Sequence, residues 1–149
     1  MDNHPTQYHR RSIRLKGYDY CRPGAYFVTV CVQDRVCLLG QILNGEMVIN
    51  EASKMVVRWW MEIHHKFPTV EIDEFIVMPN HFHGIVILVE PPSVGADLRV
   101  RPSEGTHAGV PLQTVVQWFK TMTTNEYIRG VKQFGWTPFW GKLWQRNYC

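Results

Sequence analysis

Two histidines one residue apart, His81 and His83, are the side chains best placed for chemistry in this sequence of 149 residues. They open the run His81-Phe82-His83-Gly84-Ile85-Val86-Ile87-Leu88, which is apolar and β-branched and reads as a strand. In a strand, residues i and i+2 point to the same face, so the two imidazoles stand side by side. Ile85, Ile87 and Val89 continue their face, while Phe82, Val86 and Leu88 line the other. Adjacent imidazoles on a rigid central strand make a preorganised half-site for a divalent cation. Gly84 is expected to leave room beside it. Paired histidines also occur by chance, so the spacing alone leaves metal binding and an ordinary strand both open.

The flanking sequence must position that strand. Residues 70–77 form another strand pattern, and Pro79-Asn80 a turn, which together predict a hairpin. Residues 25–32 read as a further strand, residues 36–43 as a shorter extended run, and Asn44-Gly45 as a tight turn. Asn50 is a good helix N-cap. After it, Ala52, Met55, Val56, Trp59, Trp60 and Ile63 fall on one helical face, and Pro68 stops the helix. The two tryptophans are expected in the core. His64 and His65 in the last turn suit the helix dipole better than a metal. Residues 112–128 predict a second helix with Val115, Phe119 and Met122 inward and Gly130 ending it. Residues 134–148 are extended and rich in aromatics. The order predicts one α+β domain over residues 1–149, a ferredoxin-like sandwich with an antiparallel sheet and helices on one face. Residues 1–23 are expected to form a basic arm, and 91–111, rich in proline and glycine, a long mobile loop.

Net charge is +3, and it is unevenly spread. Residues 1–33 hold five basic and two acidic side chains, 34–90 four and eight, and 113–149 five and one. Basic ends can grip phosphates. The expected nucleic-acid contacts are Arg10, Arg11, Arg14 and Lys16 at one end, with Lys120 and Arg146 at the other. Tyr8, Tyr18 and Tyr20 interleave the first cluster, which suits a strand of phosphates and stacking bases. No C-x-x-C pair occurs among Cys21, Cys31, Cys37 and Cys149, so reduced thiols are expected rather than a zinc knuckle. No apolar run approaches the roughly 20 residues of a membrane helix. The polar N-terminus has no signal-peptide core, so the expected location is cytoplasmic, with no membrane partner.

In full, Met78-Pro79-Asn80-His81-Phe82-His83-Gly84 resembles the signature of the REP-associated tyrosine transposases, within the single-tyrosine His-hydrophobic-His family. The stretches at 10–20 and 24–30 resemble that family's opening, and Trp118-Phe119-Lys120 and Leu143-Trp144-Gln145-Arg146-Asn147-Tyr148 its later landmarks. The resemblance implies binding of single-stranded or hairpin DNA. It also implies Mg²⁺ or Mn²⁺ held by His81 and His83, and a tyrosine that forms a 5′-phosphotyrosine link. A tyrosine of pKa near 10 is a poor nucleophile at neutral pH, and the metal offsets charge on the phosphate. Dimers occur in the broader family and monomers in this subgroup, so a homodimer stays open.

The resemblance breaks off at the end. In that family a further helix carries the nucleophilic tyrosine and a polar metal ligand. Here Tyr148 matches the landmark tyrosine before that helix, and Tyr127 has no supporting motif. The expectation is a truncated domain that lacks its nucleophile and is inactive alone. Two other readings compete: a non-catalytic nucleic-acid-binding module, and a small metal-dependent hydrolase using His81, His83 and an acid such as Asp73.

Overall fold

The computed structural model describes residues 15–90 and 109–148. Arg10, Arg11, Arg14 and most of the 91–111 segment lie outside the described residues.

Alternation builds the main sheet. Strands β1 (Gly24–Cys31), β4 (Val70–Met78) and β5 (His81–Leu88) pair antiparallel in the order β1-β5-β4, so the histidine strand is central. Along β5, each of Phe82, Gly84, Val86 and Leu88 is buried and each of His81, His83, Ile85 and Ile87 is half-buried. A separate hairpin joins β2 (Gly40–Leu43) to β3 (Glu46–Ile49). Its turn, Asn44-Gly45, has φ of 52° and 78°, the positive pair that a two-residue hairpin turn needs.

Helix α1 (Glu51–Lys66) starts as its sequence dictates. Asn50 accepts from the Ser53 amide at 2.9 Å, and Ser53 Oγ accepts from the Asn50 amide at 2.9 Å. Two otherwise unpaired donors are thereby satisfied. Helix α2 (Leu112–Phe134) packs beside α1 on the same face of the sheet. Trp60 joins the layers, its ring 4.8 Å from Phe82 of β5 and 5.6 Å from Phe119 of α2. This is the expected α+β sandwich of ferredoxin-like type, with a three-stranded main sheet among the described residues.

Several local expectations change. Gly84 does not open space near the histidines. It faces the helices, where an added Cβ would lie 2.3 Å from the Trp60 ring. Gly130 does not end α2, which continues to Phe134 and stops at left-handed Gly135. Gly130 is buried against Trp136, whose ring would sit 2.2 Å from a Cβ there. Trp60 is core, but Trp59 is half-buried at the rim, meets Trp118 edge-on at 5.7 Å, and donates to Glu126.

Candidate functional site

The face of the sheet away from the helices carries the histidine pair. His81 and His83 stand with ring centroids 4.6 Å apart and planes at 78°. Each ring is held through one nitrogen. His81 Nδ1 lies 2.7 Å from Asn80 Oδ1, and His83 Nδ1 lies 2.8 Å from Thr29 Oγ1. An amide oxygen only accepts, so His81 Nδ1 carries the hydrogen and its Nε2 keeps a lone pair. A Thr29 hydroxyl that accepts does the same for His83. That arrangement is how metal-binding histidines are normally oriented.

Strand register supplies the neighbours. Thr29 and Ile76 flank His83, while Cys31 and Met78 flank His81. Phe27, 63% exposed, stacks on His83 at 5.2 Å and 26°. Burial, then the neighbouring His83 and Arg35, push the His81 pKa below its usual value. A neutral imidazole is the form that binds metal.

Backbone contacts fix the turn beneath the pair. The Val32 amide donates to Asn80 O and the Leu39 amide to Pro79 O, each at 2.9 Å. Asn80 Nδ2 reaches Arg35 O at 3.3 Å, and Asn50 Nδ2 reaches Leu38 O at 3.0 Å. The histidine turn, the loop before β2 and the start of α1 are thus linked in one chain.

No third acid or thiol completes the set: among the described residues, no three of His, Cys, Asp and Glu are arranged to hold a metal. Asp73 sits where the β4 register shifts between Ile72 and Phe75, and the β4 residues opposite the histidines are Ile76 and Met78.

The other predicted contacts are scattered. Lys16 and Arg146 are exposed. Lys120 is 8% exposed, and its ammonium donates to Gln145 O at 2.8 Å and Arg146 O at 3.3 Å. It therefore ties α2 to the final segment. Tyr148 is buried, its ring 5.6 Å from Lys120 Nζ. Tyr127 is buried too, donates to Thr137 O at 2.7 Å, and has its pKa pushed up to about 12 by burial. Tyr18 and Tyr20 pack edge-on at 5.0 Å, and the Tyr20 hydroxyl accepts from the Leu15 amide. Sequence reasoning missed Thr29 and Phe27. The signal was there, since both lie on the β1 face that alternates with Val28 and Val30.

No family model matches the chain. Among the described residues, no helix is long and apolar enough to cross a membrane. A solved structure of a candidate transposase from Deinococcus radiodurans superposes with a TM-score of 0.51 and 17% identity, covering 91% of this chain and 82% of that one. That likeness is one of fold. A REP-associated tyrosine transposase bound to a REP hairpin aligns at a TM-score of 0.48 and 17% identity, over 97% of this chain and 60% of that one. An uncharacterised protein of Haemophilus influenzae is 37% identical over 147 residues, covering 95% of this chain and 77% of that protein. At that identity and coverage, the chain, with its transposase-like fold, belongs to the same family as the Haemophilus influenzae protein.

Proposed function

We propose that this chain is the DNA-handling domain of a transposase of the REP-associated tyrosine type. It binds single-stranded or hairpin DNA and holds Mg²⁺ or Mn²⁺ on His81 and His83. One observation carries the reading: two imidazoles side by side on the open sheet face, each anchored through Nδ1 by Asn80 or Thr29. The transposase-like fold and the Met78–Gly84 signature support it. A divalent cation there would offset charge on the oxygens of a phosphodiester. Two protein ligands leave most of its shell to water, so binding is weak. The chain's own residues orient: Thr29 and Asn80 hold the rings, and Arg35 adds positive charge beside His81.

A second reading, a nucleic-acid-binding module that does not cut, is favoured by the tyrosines. Tyr127 and Tyr148 are buried against the helices, and the Tyr127 hydroxyl is spent on a carbonyl. A nucleophile must come within about 3 Å of the phosphorus, in line with the leaving group.

Manganese titration of the protein with labelled histidine rings tests the metal assignment. Paramagnetic broadening should fall on His81 and His83 and vanish in His81→Ala/His83→Ala; unbroadened rings would overturn it. Denaturing gels with an end-labelled hairpin and Mn²⁺ test cleavage, and no covalent band is expected. A retarded band lost in Tyr148→Phe or Tyr127→Phe would make that tyrosine the nucleophile.

A further inference from the structure

The final segment carries an anomaly that the histidine site does not use. Trp140 is 92% exposed, the largest exposure among the described large hydrophobic residues. Its neighbours are anchored. The Phe139 ring lies 5.6 Å from buried Tyr127, and Leu143 and Trp144 are both in the core. Between them the Lys142 amide donates to Trp140 O at 2.9 Å across left-handed Gly141, a tight turn that sets Trp140 and Lys142 on its two arms. An indole turned outward in this way offers its ring to a stacking partner.

Beyond the turn the surface changes character. A cavity of about 370 Å³ lies between α2 and the segment, lined by Gln117, Thr121, Asn125, Lys142 and Arg146 among others. It adjoins another of about 520 Å³, which shares Gln117, Lys120, Thr121 and Arg146. Neither lining contains a carboxylate. Amides, hydroxyls and cations without acids suit a chain of phosphates. One acid is near: Asp34 lines a further cavity together with Trp140 and Lys142, and its carboxylate accepts from Gln33.

The segment also leads to the histidines. The Gln145 amide donates to Cys31 O at 2.8 Å, the Gln33 amide donates to Leu143 O at 2.8 Å, and Val32 bridges Trp144. Cys31 is the β1 residue opposite His81.

We infer that the ridge from Trp140 to Arg146 binds a single strand of nucleic acid. Trp140 stacks on a base, and Lys142 and Arg146 hold phosphates. The ridge then directs the strand round the end of β1 toward His81 and His83. This rests on the DNA-binding reading above and adds where the strand runs. Lys120 lends charge, but its bonds to Gln145 and Arg146 carbonyls make it part of the scaffold.

Fluorescence anisotropy with a labelled oligothymidylate tests it, using the whole chain without metal. Trp140→Ala should weaken binding about five- to 150-fold, the range for loss of one stacked base. Lys142→Ala/Arg146→Ala should flatten the log–log salt slope by about 1.4, at 0.7 per phosphate contact on a single strand. All three side chains are exposed, so melting temperatures should stay near wild type and separate lost binding from lost fold. If the wild type binds but both variants match it in affinity and slope, the ridge assignment is overturned and the DNA-binding reading stands. If the wild type binds a DNA hairpin but not the oligothymidylate, the ridge assignment falls alone; if it binds neither, the DNA-binding reading falls and takes the ridge with it.

Discussion

The two faces of β5 use the same eight residues for opposite ends. On one, Phe82, Gly84, Val86 and Leu88 are buried, with Phe82 against Trp60 and Phe119 and Gly84 against Trp60. On the other, His81, His83, Ile85 and Ile87 stay half-open, and each imidazole is steadied by a single hydrogen bond with Asn80 or Thr29. Burial is concentrated on the first face and the proposed metal site lies on the second. A strand permits that division because its alternation is strict, so a change on one side need not disturb the other.

The largest effect should come from the packed side. Trp60→Ala empties the contact between sheet and helices and should cost about 3–5 kcal/mol, whereas Phe27→Ala on the open side should cost under about 1 kcal/mol. Urea titration of the two variants checks it, and equal losses would break the contrast between faces.

Gly84→Ala comes next. Its methyl would press on the Trp60 ring, and overpacking of this kind costs about 1–3 kcal/mol. Pairing it with Trp60→Leu should recover part of the loss. Strict additivity in the double-mutant cycle would show that the contact is not the cause.

A smaller effect is confined to alkaline pH. Tyr127 is neutral in the fold, and its pKa rises from 10.0 to about 12 because burial disfavours the phenolate. The associated stability is present in full below pH 10 and is lost as pH climbs through 12. At 1.36 kcal/mol per unit, the loss reaches about 1.4 kcal/mol by pH 11. Tyr127→Phe should flatten the fall between pH 10 and 12. Tyr26, also pushed up to about 12, by burial first and then by Tyr18, keeps a remainder. An unchanged pH profile in Tyr127→Phe would reject the assignment.

The smallest shift belongs to the site. His81→Ala alone should change stability by about 1 kcal/mol or less, since the ring gives up one half-buried hydrogen bond. A loss near that of Trp60→Ala would mean that His81 is structural after all.

These contrasts also mark what the sequence could convey. Alternation along β5 placed His81 and His83 on one face and Phe82 on the other, because that pattern is local and needs no knowledge of partners. The Asn50 cap was legible for the same reason. The glycines were not. Gly130 reads as a helix stop and Gly84 as space near the metal, yet each exists to admit a tryptophan, Trp136 or Trp60, that approaches from elsewhere in the chain. Lys120 read only as a charge expected to meet nucleic acid, and Gln145 and Arg146 offer it carbonyls that no local pattern announces. Nor did the aromatic tail reveal that Trp144 goes in and Trp140 stays out.

The turn beneath the histidines has one more consequence, for the order in which the molecule comes apart. Asn80 and Pro79 accept from Val32 and Leu39, and the neighbouring Leu38 accepts from the capping Asn50. A tight turn at the end of a hairpin ordinarily frays early and exchanges its amide hydrogens within the shallowest openings of a protein. Here the Val32 and Leu39 amides are released only when the hairpin turn parts from the loop before β2. The turn beside the histidine pair is therefore expected to open late, with the strands and the first turn of α1, and slow exchange of the Val32 and Leu39 amides would show it.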